Sequence, residues 1–186
     1  MIRTIHFYGD PVLRESFKKI TAFDDELKSL AGDMIETMRA SRGVGLAAQQ
    51  IGETRAICVI EVPEEYDQDE DGTRFNPEIP MPWVLINPVI SEPSRRTDSH
   101  EEGCLSFPDL RGNIVRPVSI RLTYQDLEGT EHVTEVHDFI ARVVQHEVDH
   151  LNGVLFIDRM SPAKKISIRN RLKRLKAETE AELAAG

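Results

Sequence analysis

A chain of 186 residues, 40% hydrophobic and 30% charged, is long enough to bury a core within one domain, residues 1–186, without disulfides or an obligatory partner. Its net charge of −9 excludes a surface built wholly to hold nucleic acid or an anionic membrane. Met1 to His6 lack the apolar run of a secretory signal, and no stretch approaches the roughly 18 apolar residues of a membrane span. A monomeric, cytoplasmic protein of bacterial type with no membrane partner is expected, organellar only if a transit peptide has been removed.

In chain order, the first helix is predicted at residues 24 to 40, where Leu27, Leu30, Ala31, Met34, Ile35 and Met38 recur at three-four spacing after Asp24 and Asp25. Gly43 and Gly45 end it, and permit positive φ and close backbone approach. Strands are predicted from Ala56 to Val62 and from Trp83 to Ile90. Residues 61–82 between them carry seven acidic groups by Asp71 and several prolines, the marks of an exposed acidic insertion. Val118 to Tyr124 alternates as a strand, and Asp126 to Gly129 turns it into another from Thr130 to Val136.

A second helix follows. Phe139, Ile140, Val143, Val144 and Leu151 supply its apolar face, Asp138 its N-cap and Gly153 a left-handed stop. A third is predicted from Pro162 to residue 184, with Ile168, Leu172 and Leu175 docking on the body. Its first half, Lys164 to Lys176, holds seven Lys or Arg and no acid, a strip suited to RNA phosphates or to a solvated face. The fold class is α+β: antiparallel or mixed sheets surrounding a central helix, with an N-terminal and a C-terminal helix.

That central helix carries His146-Glu147-Val148-Asp149-His150. Two imidazoles four residues apart point the same way from a helix, and the carboxylate between them can take a proton from a water that a divalent ion activates. A catalytic site of this kind wants a third protein ligand. Phe156 stands where one zinc-protease pattern places a third histidine, and no glutamate lies between Asp158 and Lys176 for another pattern. Cys104, in the turn-like setting Glu101-Glu102-Gly103-Cys104-Leu105-Ser106, is the best remaining donor. Cys58, inside the apolar run 56–60, reads as a small buried hydrophobe.

At this point the chain resembles the peptide deformylase family over nearly its whole length. The resemblance rests on Gly43-Val44-Gly45-Leu46-Ala47-Ala48-Gln49-Gln50, on Glu102-Gly103-Cys104-Leu105-Ser106 and on the motif at 146–150, in the family's order, with Tyr8 to Arg14 and Gly153 to Phe156 extending it. It implies removal of the N-formyl group from formylmethionyl nascent peptides by a hydrolase. Cys104, His146 and His150 would hold one divalent ion per chain, ferrous iron foremost, with zinc, nickel or cobalt as alternatives. Glu147 would be the proton carrier, with Gln50 and the Leu105 backbone N–H as donors to the oxyanion. Gly45 and Arg111 would meet the bound peptide, and Val44, Phe139 and Val143 would line the methionine pocket. The resemblance also implies ribosomal RNA contact through the basic helix. Two departures stand out: Asp138 where the family commonly has glycine, and the long 61–82 segment. A metalloendopeptidase and a non-catalytic metal-binding domain are the competing readings.

Overall fold

The computed structural model describes residues 1–185. Helix α1 is Asp25–Ala40, capped by Asp24, whose side chain accepts from the Leu27 amide. Strands β1 (Gly45–Ala47), β2 (Ile57–Ile60), β3 (Trp83–Ser91), β6 (Ser119–Gln125) and β7 (Glu131–His137) form one sheet in the order β1-β2-β3-β6-β7, every pairing antiparallel. Strands β4 (Thr97–Cys104) and β5 (Phe107–Pro117) form a separate hairpin. Helix α2 (Asp138–Leu151) carries the His-Glu-x-x-His segment, and helix α3 is Pro162–Ala185. Among the described residues no helix is long and apolar enough to cross a membrane.

Alternation decides which face of the sheet meets which helix. Cys58, Ile60, Leu85, Ile120, Leu122 and Val136 point toward α2, where they pack on Ile140, Val144 and Leu151. Ile57, Val59 and Ile86 point the other way, toward Leu27, Leu30, Met34 and Met38 of α1. A third cluster joins the hairpin to the chain beyond α2, with Phe107, Leu110 and Ile114 packed on Phe156, Met160 and Ile168. Helix α2 is therefore held between the large sheet and the hairpin.

The predicted helices and the four predicted strands are present within a few residues of their expected ends; the hairpin β4–β5 was not anticipated. The turn after β6 forms at Asp126, whose carboxylate accepts from the Glu128 and Thr130 amides, with Gly129 at φ 82. Gly153 stops α2 at φ 70, where any Cβ would lie 2.5 Å from the Arg14 carbonyl oxygen.

Three local expectations need correction. Asp138 does not cap α2: it has φ 50, and the N-cap residue is His137, whose own side chain makes no capping bond. Asn76 brackets that helix start instead, its amide donating to the His137 carbonyl at 3.1 Å and its oxygen accepting the His137 N–H at 2.8 Å. The 61–82 segment is thus not simply an exposed loop. Asp67 within it is buried, accepting from Asn76 at 2.6 Å and from Arg74 at 3.1 Å. Finally, neither Gly43 nor Gly45 is among the positive-φ glycines; the left-handed residue that closes α1 is Arg42 at φ 56.

Candidate active site

A cleft of about 540 Å³ opens between the β1 edge of the large sheet and the hairpin, with α2 as its floor. Its lining includes Val44, Gly45, Gln50, Cys104, Leu105, Arg111, Phe139, Val143, His146 and Glu147. His150, a turn further along α2, is buried behind it.

Cys104 is the last residue of β4, so the hairpin turn delivers its sulfur toward the two histidines that helical spacing already brings together. Donor atoms of Cys104, His146 and His150 all lie within 4.8 Å of one another. The Cys104 Sγ is 3.2 Å from His150 Nε2, and the two imidazole centroids are 5.0 Å apart. Gln50 reaches the same sulfur from the short helical turn after β1, its Nε2 3.5 Å from Sγ and 3.3 Å from Ser106 Oγ. The Ala47 N–H donates to Gln50 Oε1 at 2.9 Å, which turns the amide's NH2 toward the site.

Glu147 is buried, and Oε2 has no hydrogen-bond partner among the described residues. Gly45 explains how it fits: a Cβ on Gly45 would sit 2.3 Å from Glu147 Oε1. Gly43 leaves room in the same way for the Leu105 side chain, 2.9 Å from where its Cβ would be. Close approach, rather than unusual φ, is what these two glycines supply.

Beneath the histidines lies a charged network that sequence reasoning missed. Glu102 accepts from His146 Nδ1 at 3.0 Å, leaving the opposite ring nitrogen for a ligand. The same carboxylate takes two bonds from Arg116, at 2.7 and 2.9 Å, and one from Arg142 at 2.6 Å. Arg116 also donates to Asp149 at 2.8 Å, and Asp149 pairs in turn with Arg159. Arg116 is buried at the end of an otherwise apolar strand face, after Leu110 and Ile114, and that placement was the one available signal for the network.

Burial opposes ionisation of Glu102, but its bonds from His146 and Arg116 outweigh that and hold its carboxyl well below the usual range. Burial likewise disfavours a charged His146, yet the Cys104 sulfur, Glu102 and Glu147 push it up to about 10. Burial and the charge on His146 hold His150 well below its ordinary value. One sulfur and two carboxylates thus make this point favour positive charge. A divalent ion would satisfy that demand while both imidazoles stay neutral, and two nitrogens with a thiolate are a donor set that transition metals accept. Burial pushes Glu147 up to about 7. Burial also raises the Cys58 thiol well above its ordinary value, and it sits in β2, unsuited to a fourth ligand.

Comparison with known proteins agrees with this geometry. The family model described as polypeptide deformylase matches residues 2–166. The chain belongs to the peptide deformylase family. It is 45% identical to a peptide deformylase of Opitutus terrae, over 97% of this chain and 95% of the relative. It is 42% identical to one from Brachyspira hyodysenteriae, over 96% and 91%. Among solved structures, the peptide deformylase of Ehrlichia chaffeensis superposes with a TM-score of 0.84 at 35% identity, over 97% of this chain and 99% of that one. That of Thermotoga maritima gives 0.77 at 42% identity, over 87% and 99%. The α+β architecture around the histidine-bearing helix is the family's fold.

Proposed function

We propose that Cys104, His146 and His150 hold a divalent ion, physiologically ferrous iron, and that Glu147, Gln50 and the Leu105 backbone N–H serve the reaction beside it. The enzyme is a hydrolase of the deformylase family, which removes the N-formyl group from newly made polypeptides and releases formate. The observation that carries the assignment of roles is the convergence of the three donors beside a buried, unpartnered carboxylate oxygen.

When bound, the ion would polarise the formyl carbonyl and acidify the attacking water. Glu147 accepts the water's proton at its free Oε2 and passes it to the amine nitrogen as the C–N bond breaks. Gln50 Nε2 holds only long contacts to Cys104 and Ser106, so it can turn to the carbonyl oxygen as negative charge develops. The Leu105 amide, next to the ligand cysteine, is the second donor. Loss of one such donor costs roughly a hundredfold to a thousandfold in rate.

The peptide lies along the free edge of β1, adding a strand beside Val44 and Gly45. Its methionine side chain enters between Val44, Phe139 and Val143, and Arg111 stands on the opposite wall. The enzyme works as a monomer in the cytoplasm of a bacterial-type cell. The exposed cations of α3, Lys165, Arg169, Lys173 and Arg174 among them, meet ribosomal RNA, and reversing them to Glu is expected to abolish salt-sensitive ribosome binding.

Formate release from formyl-Met-Ala-Ser tests the reading, with protein loaded anaerobically with Fe(II) or Ni(II) and its metal content measured. Release by the wild type and loss of it in Glu147→Ala at equal metal content is the expected result. Silence of both with metal bound would favour a non-catalytic metal-binding domain.

A further inference from the structure

The cleft has two walls of different electrical character. The hairpin wall carries Glu101, Asp109 and Arg111, a mixture of signs. The wall leading from α1 into β1, residues 41–45, holds a single charged group, Arg42. Arg42 is exposed, and among the described residues its guanidinium enters no ion pair. The acid beside this wall is Glu61, whose N–H donates to the Val44 carbonyl at 2.9 Å. It is already held by two nitrogens of Arg39, each at 2.6 Å.

The backbone at Arg42 adds a second, independent observation. Its φ of 56 lies in the left-handed region, where glycine is the usual residue and a long side chain is uncommon. Bonds from the Arg42 N–H to the Arg39 carbonyl at 3.0 Å and from the Gly43 N–H to the Met38 carbonyl at 2.9 Å hold that conformation. Glycine would close α1 with less strain, so what arginine contributes is a cation at the cleft mouth. A peptide added along β1 with its first residue beside Gly45 advances about 3.3 Å per residue past Val44 and Gly43. Its third residue then passes within reach of the Arg42 side chain.

We propose that Arg42 is a specificity-determining residue that favours formylated peptides bearing an acidic side chain at their third position. This rests on the deformylase reading of the site. An exposed pair of this kind is worth roughly a twofold to fivefold preference, shrinking as salt is added.

The test compares formyl-Met-Ala-Glu-amide with formyl-Met-Ala-Lys-amide, whose amidated ends remove the α-carboxylate, using metal-loaded enzyme. The wild type should prefer the Glu peptide at low salt, with the difference in KM rather than kcat. Arg42→Gly should bring the ratio near one while its melting temperature holds or rises, and Arg42→Glu should invert the ratio. A ratio that Arg42→Glu leaves unchanged, or an equal loss on both peptides, overturns the proposal. Turnover of neither peptide by the metal-loaded wild type overturns the deformylase reading and this proposal with it; turnover of both without charge preference overturns this proposal alone.

Discussion

Gly45→Ala adds one methyl group at the point where β1 passes over the candidate proton carrier. That methyl would lie 2.3 Å from Glu147 Oε1, 2.8 Å from Cδ and 3.0 Å from Cγ, so the whole carboxyl end is in the way. The strand cannot easily retreat, because Gly45, Leu46 and Ala47 are in register with Ile60, Val59 and Cys58 of β2. The carboxylate must therefore withdraw by about 1 Å, and a displacement of that size at reacting groups can cost on the order of a hundredfold. We expect kcat for formate release to fall about a hundredfold at unchanged metal content, with a stability loss of roughly 1–3 kcal/mol from overpacking. Gly43→Ala is the control, since its methyl meets the tip of the Leu105 side chain at 2.9 Å, a group that can turn aside. Steady-state kinetics and metal analysis on both variants decide the matter. If Gly45→Ala keeps half or more of the wild-type kcat with metal bound, the assignment of Glu147 as proton carrier in this pose is wrong.

Glu102→Gln removes the anion on His146 Nδ1 and leaves two buried guanidinium groups short of charge, so metal affinity measured against a competing chelator should fall roughly 10- to 100-fold; unchanged affinity would refute the orienting role. In native protein, alkylation followed by mass spectrometry should find Cys104 protected by bound metal and reactive after chelation, while Cys58 reacts only on unfolding. Labelling of Cys58 in the folded chain would contradict its place in β2. Glu147 has a folded-state pKa raised by burial from 4.5 to about 7, so the folded protein binds the extra proton in that window and its charged form costs stability above it. Metal-free Glu147→Gln should then be more stable than wild type at pH 8 by about 2–3 kcal/mol, the gap closing toward pH 4; equal denaturation midpoints at pH 8 would show that burial costs Glu147 nothing.

The elements with regular apolar spacing were readable before any coordinates: α1 and α2 by their three-four pattern, and β2, β3, β6 and β7 by strand-like runs; the motifs also named the three donors, Cys104, His146 and His150, that the fold brings together. Strand β4 was hidden because its sequence, Thr97 to Cys104, shows no apolar alternation; the side chains it turns inward include Glu102 and Cys104, which serve the site instead of the core. Strand β5 was masked by Pro108, Gly112 and Pro117. The 61–82 segment looked solvated because its composition is acidic, yet Asn76 and Asp67 secure the start of α2 through bonds that span 61 and 9 residues. The charged network failed to show for the same reason: Arg116 and Arg142 meet Glu102 across 14 and 40 residues, and no local pattern encodes that. Arg42 was missed because a glycine pair follows it and drew the expectation of left-handed backbone one residue too far.

The chain of opposite charges from Asp98 through Arg142, Glu102, Arg116 and Asp149 to Arg159 ties the hairpin, α2 and the turn beyond it into one circuit, buried in its middle and open to solvent at both ends. A single substitution among the four buried members, Arg142, Glu102, Arg116 and Asp149, strands an odd charge in the interior, at a cost of several kcal/mol. Two changes made together can cancel part of what each alone costs, so effects here are non-additive by construction. Under random mutation the circuit can drift only as a set, whereas the solvated face of α3 can change one residue at a time. Pairwise mutational scanning would separate the two regions by their epistasis alone.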